Sequence, residues 1–297
     1  MDFPVCSVQT DDRGRELTVH GTAAFPVGFY KDDLASFPSA WHWHDELELV
    51  VVREGTALCA AGIDKFTVNT GDGVFVNARV LHGDWPAAPG ACVLNSMVFH
   101  PRLVGGSPDS VFWQQYLQPL MTDPARSTTH LRRTVDWQRR ALDALDTAFQ
   151  ELSTQQPGYE FRVREALSEI LFLLCSHAPA GSALSTAALR SAERVKTMLQ
   201  YIQTHFAEPL SVPQIAASSS ISVTECLRCF REIMNTTPNQ YLRQYRVQRA
   251  AELLTTTCLP TGAVASQCGY ADASYFARCF REAYGLSPAD YRRQGHK

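Results

Sequence analysis

Three regimes of hydrophobic and polar patterning divide the chain. Between residue 3 and about residue 104, short apolar runs such as Leu47 to Val52, Ala57 to Ala61 and Val74 to Val76 are broken by Gly, Pro and Asn. Short runs separated by turn residues predict an antiparallel β barrel or sandwich. From Val135 to His177 the period lengthens. One segment repeats Leu142, Leu145, Phe149 and Leu152, a second repeats Phe161, Ala166, Leu167, Ile170, Leu171 and Leu174, and Gln155-Gln156-Pro157-Gly158 separates them. Spacings of three and four predict two amphipathic helices, each with an apolar stripe to bury on the β domain or on another subunit. Residues 178 to 188, rich in Ala, Ser, Gly and Pro, read as a flexible interdomain linker.

The last third contains a repeat. Arg228-Cys229-Phe230-Arg231-Glu232 recurs as Arg278-Cys279-Phe280-Arg281-Glu282, and each copy is followed at the same distance by Pro238 or Pro288 and by Tyr241 or Tyr291. A constant offset of 50 residues between these segments means two copies of one small unit. Upstream lie Ile215-Ala216 and Val264-Ala265, each on a short helix-compatible stretch. In the first copy Ser219-Ser220-Ile221 leads to Ser222, a helix cap with Glu225 placed to complete a capping box. In the second, Gly269 supplies a positive φ and Asp272 takes the capping position. Each copy reads as helix, turn, second helix. Cys226, Cys229, Phe230 and Ile233 form the buried stripe of one second helix, and Phe276, Cys279, Phe280 and Ala283 that of the other. Thr224, Leu227, Arg228 and Arg231, and likewise Ser274, Ala277, Arg278 and Arg281, are left on the outer sides. Arginine projecting from such a helix suits the DNA major groove, where guanidinium pairs bidentately with guanine. Arg228 and Arg278 are the candidates for base contacts, with Thr224, Leu227 and Ser274 beside them, and Arg231 and Arg281 are placed for phosphates.

On these residues the segment from about Leu189 to Arg293 resembles the DNA-binding domain of the AraC/XylS family of bacterial transcription regulators. The resemblance rests on Ile215-Ala216 with Phe230, and on Val264-Ala265, Gly269-Tyr270, Ser274-Tyr275-Phe276, Arg278, Phe280, Gly285, Ser287-Pro288 and Tyr291-Arg292. The first copy departs from the family pattern at Cys226, where Leu is usual, and at Asn235, where Gly is usual. The resemblance implies two helix-turn-helix units joined by a long helix, here Asn239 to Leu254, that enter successive major grooves. It also implies that the two middle helices mediate dimerisation.

Charge sharpens the division. Residues 188 to 297 hold 13 Lys plus Arg against 8 Asp plus Glu, whereas the remainder holds 14 against 22. The positive part is the part with the repeat, as phosphate contact requires, and the acidic remainder argues against nucleic acid binding there. Nine cysteines, an odd count, with no signal-like apolar segment at Met1-Asp2-Phe3-Pro4, point to a reducing cytoplasm. The longest strongly apolar stretch, near Ile170 to Cys175, is too short to cross a bilayer. Cys226 and Cys229 form a C-x-x-C, but on the buried stripe and without a second pair they read as core.

The β region carries its own chemistry. On an extended strand even-numbered residues share a face, so His42, His44 and Glu48 can point into one cavity and His82 can join them from a neighbouring strand. Imidazoles with one carboxylate are ligands for Zn, Ni, Mn or Fe. The same groups can instead hydrogen-bond an organic effector or one another. The intervals among His42, His44, Glu48 and Gly55 resemble the first cupin motif. Gly71-Asp72 and His82 resemble the second, although Asn77, Ala78 and Arg79 replace its usual Pro and Gly. Trp41, Trp43 and Trp85 near the histidines suit stacking on a sugar or an aromatic effector, or serve as rim and core aromatics. Cupin-type sensor domains are common at the N-terminus of AraC-family regulators.

The expected architecture is α+β: an antiparallel cupin-like β barrel over 1–112, a helical dimerisation segment over 113–178, a linker over 179–188 and an all-α domain with two helix-turn-helix units over 189–297. The expected function is sequence-specific regulation of transcription, modulated by a small effector, a sugar being the family-level expectation, or by a metal in the barrel. Implied partners are operator half-sites in double-stranded promoter DNA, the effector, a second copy of the chain and RNA polymerase. A bacterial cytoplasmic protein, on the nucleoid when bound, is expected. The alternative, a metal-dependent cupin enzyme with a DNA-binding tail, lacks a separate acid-base pair in the sequence, and a non-enzymatic role is expected.

Overall fold

The computed structural model describes residues 4, 8, 10–11, 14–36, 39, 41–62, 64–177, 186–234 and 236–295. Most of the expected linker, and Asn235, fall outside them. The chain divides into two compact units between Leu189 and Arg190.

Among the described residues the first unit contains eight strands: β1 (Val27–Asp33), β2 (Leu47–Glu54), β3 (Thr56–Ala61), β4 (Asp64–Asn69), β5 (Gly73–Val76), β6 (His82–Pro86), β7 (Val93–Phe99) and β8 (Thr128–Leu131). All ladders are antiparallel. They form a five-stranded sheet in the order β1-β7-β2-β5-β8 and a three-stranded sheet in the order β4-β3-β6. Among the described residues the ladders form two sheets that share one core, in keeping with the expected antiparallel barrel or sandwich, and no ladder closes the two sheets into a barrel. Strand β8 lies within the stretch read as helical and extends the larger sheet at its β5 edge.

Two short helices, α1 (Arg102–Gly105) and α2 (Gln118–Thr122), the latter led by a π-helical turn at Trp113–Leu117, precede the long pair α3 (Asp136–Thr154) and α4 (Tyr159–Ser176). The expected break between the long helices is present, with Gln155 and Gly158 both left-handed. Strand β2 shows no polar alternation because both of its faces are covered. Leu47, Leu49 and Val51 join Phe75, Met97 and Phe99 against Leu142, Leu145 and Phe149 of α3 and Leu167 and Ile170 of α4. Val50 and Val52 point the other way, into the sandwich, with Val74, Leu94, Ala57, Cys59 and Val68. One expected stripe residue fails. Phe161 is 78% exposed, and Val163, fully buried, takes the inward place on the first turns of α4. Two residues are about 200° of helical turn, so the two side chains occupy opposite sides.

The second unit holds α5 (Thr186–His205), α6 (Val212–Ser218), α7 (Val223–Met234), α8 (Pro238–Thr256), α9 (Thr261–Gln267), α10 (Ala273–Tyr284) and α11 (Pro288–Gly295). The pairs α6/α7 and α9/α10 are the two helix-turn-helix units, and α8 joins them. Thr237 caps α8 through a capping box with Gln240, so the helix starts just before the expected Asn239 and runs just past Leu254. The repeated Phe and Tyr meet in both copies: Phe230 against Tyr241 at 6.4 Å between ring centroids, Phe280 against Tyr291 at 5.3 Å. All four stripe residues of α7 are buried. In α10 Phe276, Cys279 and Phe280 are buried, but Ala283 is exposed, because Tyr284, four residues after Phe280, takes the inward place on the last turn.

If the double-sided burial of the sheet holds the first unit together, Leu145→Ala should cost about 2–5 kcal/mol by urea denaturation of the full chain. Gln150→Ala, on the exposed side of α3, should stay within about 0.5 kcal/mol.

Candidate metal centre and nucleic-acid interface

His42, His44, Glu48 and His82 are all buried, and one potential ligand atom from each lies within 4.8 Å of the others. Strand parity explains only part of this convergence. Glu48 stands on β2 with its side chain inside the sandwich, in phase with Val50 and Val52. His42 and His44 precede the strand, separated from it by a bend at Asp45 and Glu46. Their position is fixed by an isolated antiparallel bridge in which His42 and His82 exchange both backbone hydrogen bonds, at 3.0 and 2.9 Å.

The backbone also orients the rings. His44 Nδ1 donates to the Glu46 carbonyl at 3.1 Å and His82 Nδ1 to the Val80 carbonyl at 2.8 Å. Both rings therefore direct Nε2 at Glu48 Oε2, 3.2 Å from His44 and 2.7 Å from His82. The His82 contact lacks hydrogen-bond alignment despite its closeness. Imidazoles whose Nδ1–H is held by carbonyls and whose Nε2 atoms converge with a carboxylate fit a divalent cation.

Electrostatics follows from burial opposed by pairing. Burial alone would raise the Glu48 pKa, but His82 and His44 hold it well below the usual carboxylate range. Burial would depress His82, but the Glu48 charge and the hydrogen bond to the Val80 carbonyl lift it to about 9. His42 is pushed down to about 3 by burial and by the positive charge of His82. The free cluster is thus an ion pair between Glu48 and His82, with His42 neutral.

Two residues that spacing did not single out belong to this site. Glu16 is buried, with Oε2 3.3 Å from His20 Nε2 and 3.6 Å from His42 Nε2. Burial opposes its ionisation, yet the close approach of His20 and the surrounding imidazoles hold its pKa at about 2. His20 Nδ1 is 2.9 Å from the Tyr30 hydroxyl. Glu16 arrives on a segment bridged to Trp43 through Arg15, and nothing in its local sequence signals that approach.

The cupin-like motifs have visible physical reasons. Gly55 has φ 76°, and a Cβ there would sit 2.1 Å from the Ala91 carbonyl oxygen. Arg79, where the motif usually has Gly, adopts the left-handed conformation with φ 65°. Its amide donates to the His44 carbonyl at 2.7 Å and its Nε to Asp45 at 2.8 Å, which offsets the strain. Asn77 donates to the carbonyls of Leu120 and Arg126. Of the tryptophans, Trp41 is buried and packs on Trp85 at 5.1 Å, a structural pairing.

In the second unit the outer residues of α7 and α10 stand where the pattern put them. Thr224, Arg228, Arg231, Ser274, Arg278 and Arg281 are exposed and Leu227 is half-buried. Ser274, Ala277, Arg278, Arg281 and Glu282 line one open hollow of about 550 Å³. Asp272 caps α10 by accepting from the Tyr275 amide at 2.7 Å. Ser222 caps α7 through the Glu225 amide at 3.2 Å. The Glu225 carboxylate, expected to complete the capping box, is turned instead to Arg194 at 2.9 Å and Arg228 at 2.7 Å.

The identical pentapeptides consequently differ in their electrostatics. Arg228 is clamped between Glu225 and Glu232. In the second copy Tyr275 stands where Glu225 stands in the first, and the Arg278 guanidinium lies 5.1 Å from its ring centroid. Glu282, the counterpart of Glu232, turns to Arg243 of α8 at 3.5 Å.

Comparison with known proteins agrees with this geometry. A family model described as an AraC-like ligand binding domain matches residues 30–174, and one described as a helix-turn-helix domain matches residues 215–294. The chain is 28% identical over 286 residues to YdeC, an HTH-type transcriptional regulator of Bacillus subtilis, covering 95% of this chain and 97% of that protein. It is 27% identical over 261 residues to RhaS, an HTH-type transcriptional activator of Shigella sonnei, covering 87% and 88%. Among solved structures, a DNA-binding transcriptional dual regulator of Escherichia coli K-12 shares 28% identity over 35% of this chain and 92% of its own, with a TM-score of 0.33. Apo ToxT of Vibrio cholerae shares 11% over 93% and 98%, with a TM-score of 0.47.

Proposed function

The chain belongs to the AraC/XylS family of transcription regulators, and from that premise we propose how its named residues divide the work of reading DNA and sensing a ligand. It is a DNA-binding regulator rather than an enzyme. The observation that carries this reading is the pair of helix-turn-helix units joined by α8, each with an exposed Arg at the same place on its second helix. On operator half-sites Arg278 reads a base, Ser274 tunes the neighbouring position and Arg281 holds a phosphate. In the first unit Arg228, Thr224, Leu227 and Arg231 take the same roles. Arg228 must exchange two carboxylates for its target, so it contributes less net discrimination than Arg278.

In the first unit His42, His44, Glu48 and His82 are the ligands for a divalent metal, Zn, Ni, Mn or Fe. When bound, such an ion supplies a Lewis-acid point that a small effector's oxygen can occupy. The chain's own part is to hold two Nε2 atoms and a carboxylate together before the ion arrives, and to keep Glu16 nearby as a second negative charge. An effector here need favour one regulatory state by only about 1–3 kcal/mol. The regulator works as a homodimer. Phe161 and Phe172 of α4, 78% and 57% exposed, lie three turns apart on one face, and Phe112 and Tyr116 are exposed as well. Apolar residues so placed favour a partner. RNA polymerase at the promoter and a cytoplasmic, nucleoid-associated location complete the reading. Among the described residues no helix is long and apolar enough to cross a membrane.

Three outcomes test this. On duplexes selected from a random pool, Arg278→Ala should lose about 1–3 kcal/mol and relax preference at one position. Arg228→Ala should relax it less, and Glu232→Gln should tighten DNA binding. Unchanged discrimination with Arg278→Ala would remove its base-reading role. Tag-free protein should carry near-stoichiometric metal by elemental analysis and a His44→Ala/Glu48→Ala variant none, whereas equal contents would leave the cluster structural. Finally, Phe161→Glu with Phe172→Glu should sediment as a monomer where the parent is a dimer, and a dimeric double variant would place the interface elsewhere.

A further inference from the structure

A cleft of about 370 Å³ lies outside the sandwich, between β4, β8 and the two long helices. It is separate from the histidine cluster: none of His42, His44, Glu48 or His82 lines it. Its volume falls within the range of small-molecule sites, roughly 300–1,000 Å³. Two features of its wall select a ligand. The first is a flat surface, because Trp137 and His177 stack in parallel at 4.8 Å between centroids with 6° between planes. Phe66 stands against His130 at 5.1 Å in the same lining. The second is charge. Arg126 and Arg132 line the cleft against one carboxylate, that of Asp64, whose pKa burial raises. Arg126 shares its charge with Asp123 at 3.2 Å. Among the described residues no carboxylate lies within ion-pair distance of Arg132. His130 Nε2 is buried there without a hydrogen-bond partner, a polar atom that a ligand can satisfy.

We propose that this cleft binds a flat-ring organic anion, its ring on the Trp137–His177 stack and its anionic group against Arg132 and Arg126, and that this molecule is an effector of the regulator. The inference rests on the reading of the first unit as an effector sensor and is independent of any metal at the histidine cluster. A stacking surface beside guanidinium groups recognises a planar acid better than a polyol, which offers neither a π face nor a charge. The position also suits a sensor. His177 closes α4 as its C-cap. A ligand held on the His177 ring therefore acts at the end of the last long helix of the sensing unit before α5.

The test is titration calorimetry on the full-length protein with 2-naphthoate, against 2-naphthamide, which keeps the ring and removes the charge, and cyclohexanecarboxylate, which keeps the charge and removes the flat ring. One 2-naphthoate should bind per chain at millimolar or lower concentration, with both analogues weaker by about tenfold or more. Arg132→Gln, a change at an exposed side chain, should weaken 2-naphthoate by a similar factor, and Arg139→Gln, on α3 but outside the cleft, should not. Absence of 2-naphthoate binding to the parent, or equal binding to Arg132→Gln, would overturn the proposal. Gel shifts on the same samples keep the two readings apart. Intact DNA binding with no naphthoate binding sinks only this cleft, whereas failure of the parent to bind any selected duplex strikes at the regulator reading itself.

Discussion

Burial of β2 on both faces is the constraint on which the first unit depends. Its odd-numbered residues, Leu47, Leu49 and Val51, lie under α3 and α4, and its even-numbered residues face the smaller sheet. A slip of one residue would exchange the two sets and move Glu48 from the sandwich interior into the helix interface, where no histidine waits for it. The large apolar cost of that slip protects the geometry of four polar side chains. The helices that cover the sheet also form the wall of the outer cleft, so packing, histidine cluster and cleft share one structural origin.

Within that frame the buried polar residues are held by one another. Glu48 is kept ionised by His44 and His82, and Glu16 by His20 and its imidazole neighbours. Buried charges of this kind are tolerated only in pairs, and loss of one partner leaves the other stranded in a poor solvent. Backbone carbonyls at Glu46 and Val80 set the orientation of two of the rings. The site is therefore arranged before any ligand arrives, which lowers the ordering cost of binding.

The second unit shows how far a duplication can drift while its core stays constant. Both copies keep the Phe–Tyr contact that seats the second helix on the one that follows. At the turn the copies differ. Gly269 takes the left-handed position in one, and Ser220, φ 53°, takes it in the other. At the surface they differ more, because Glu225 in one copy is replaced by Tyr275 in the other, and the arginine beside it passes from two carboxylates to an aromatic face. Core positions answer to volume and shape, whereas surface pairings answer to whichever neighbour is within reach.

The helices, their turns and the two-unit character were legible in the sequence because each depends on residues a few positions apart. A stripe spaced by three and four, a capping residue or a glycine at a turn acts locally and leaves a local record. His42, His44 and Glu48 were legible for a related reason, since their short intervals travel together along the chain, whereas His82 is brought to them by its backbone bridge to His42. Tertiary structure alone decided the rest. It brought Glu16 and His20 to the cluster, divided the strands between two sheets and added β8 to the larger. It also left Phe161 outside, turned Glu225 from its cap to two arginines, and set Trp137 against His177 across 40 residues of chain. Most of these join residues distant in sequence, where the outcome depends on which surfaces meet once the core has closed, and no period in the chain encodes that meeting.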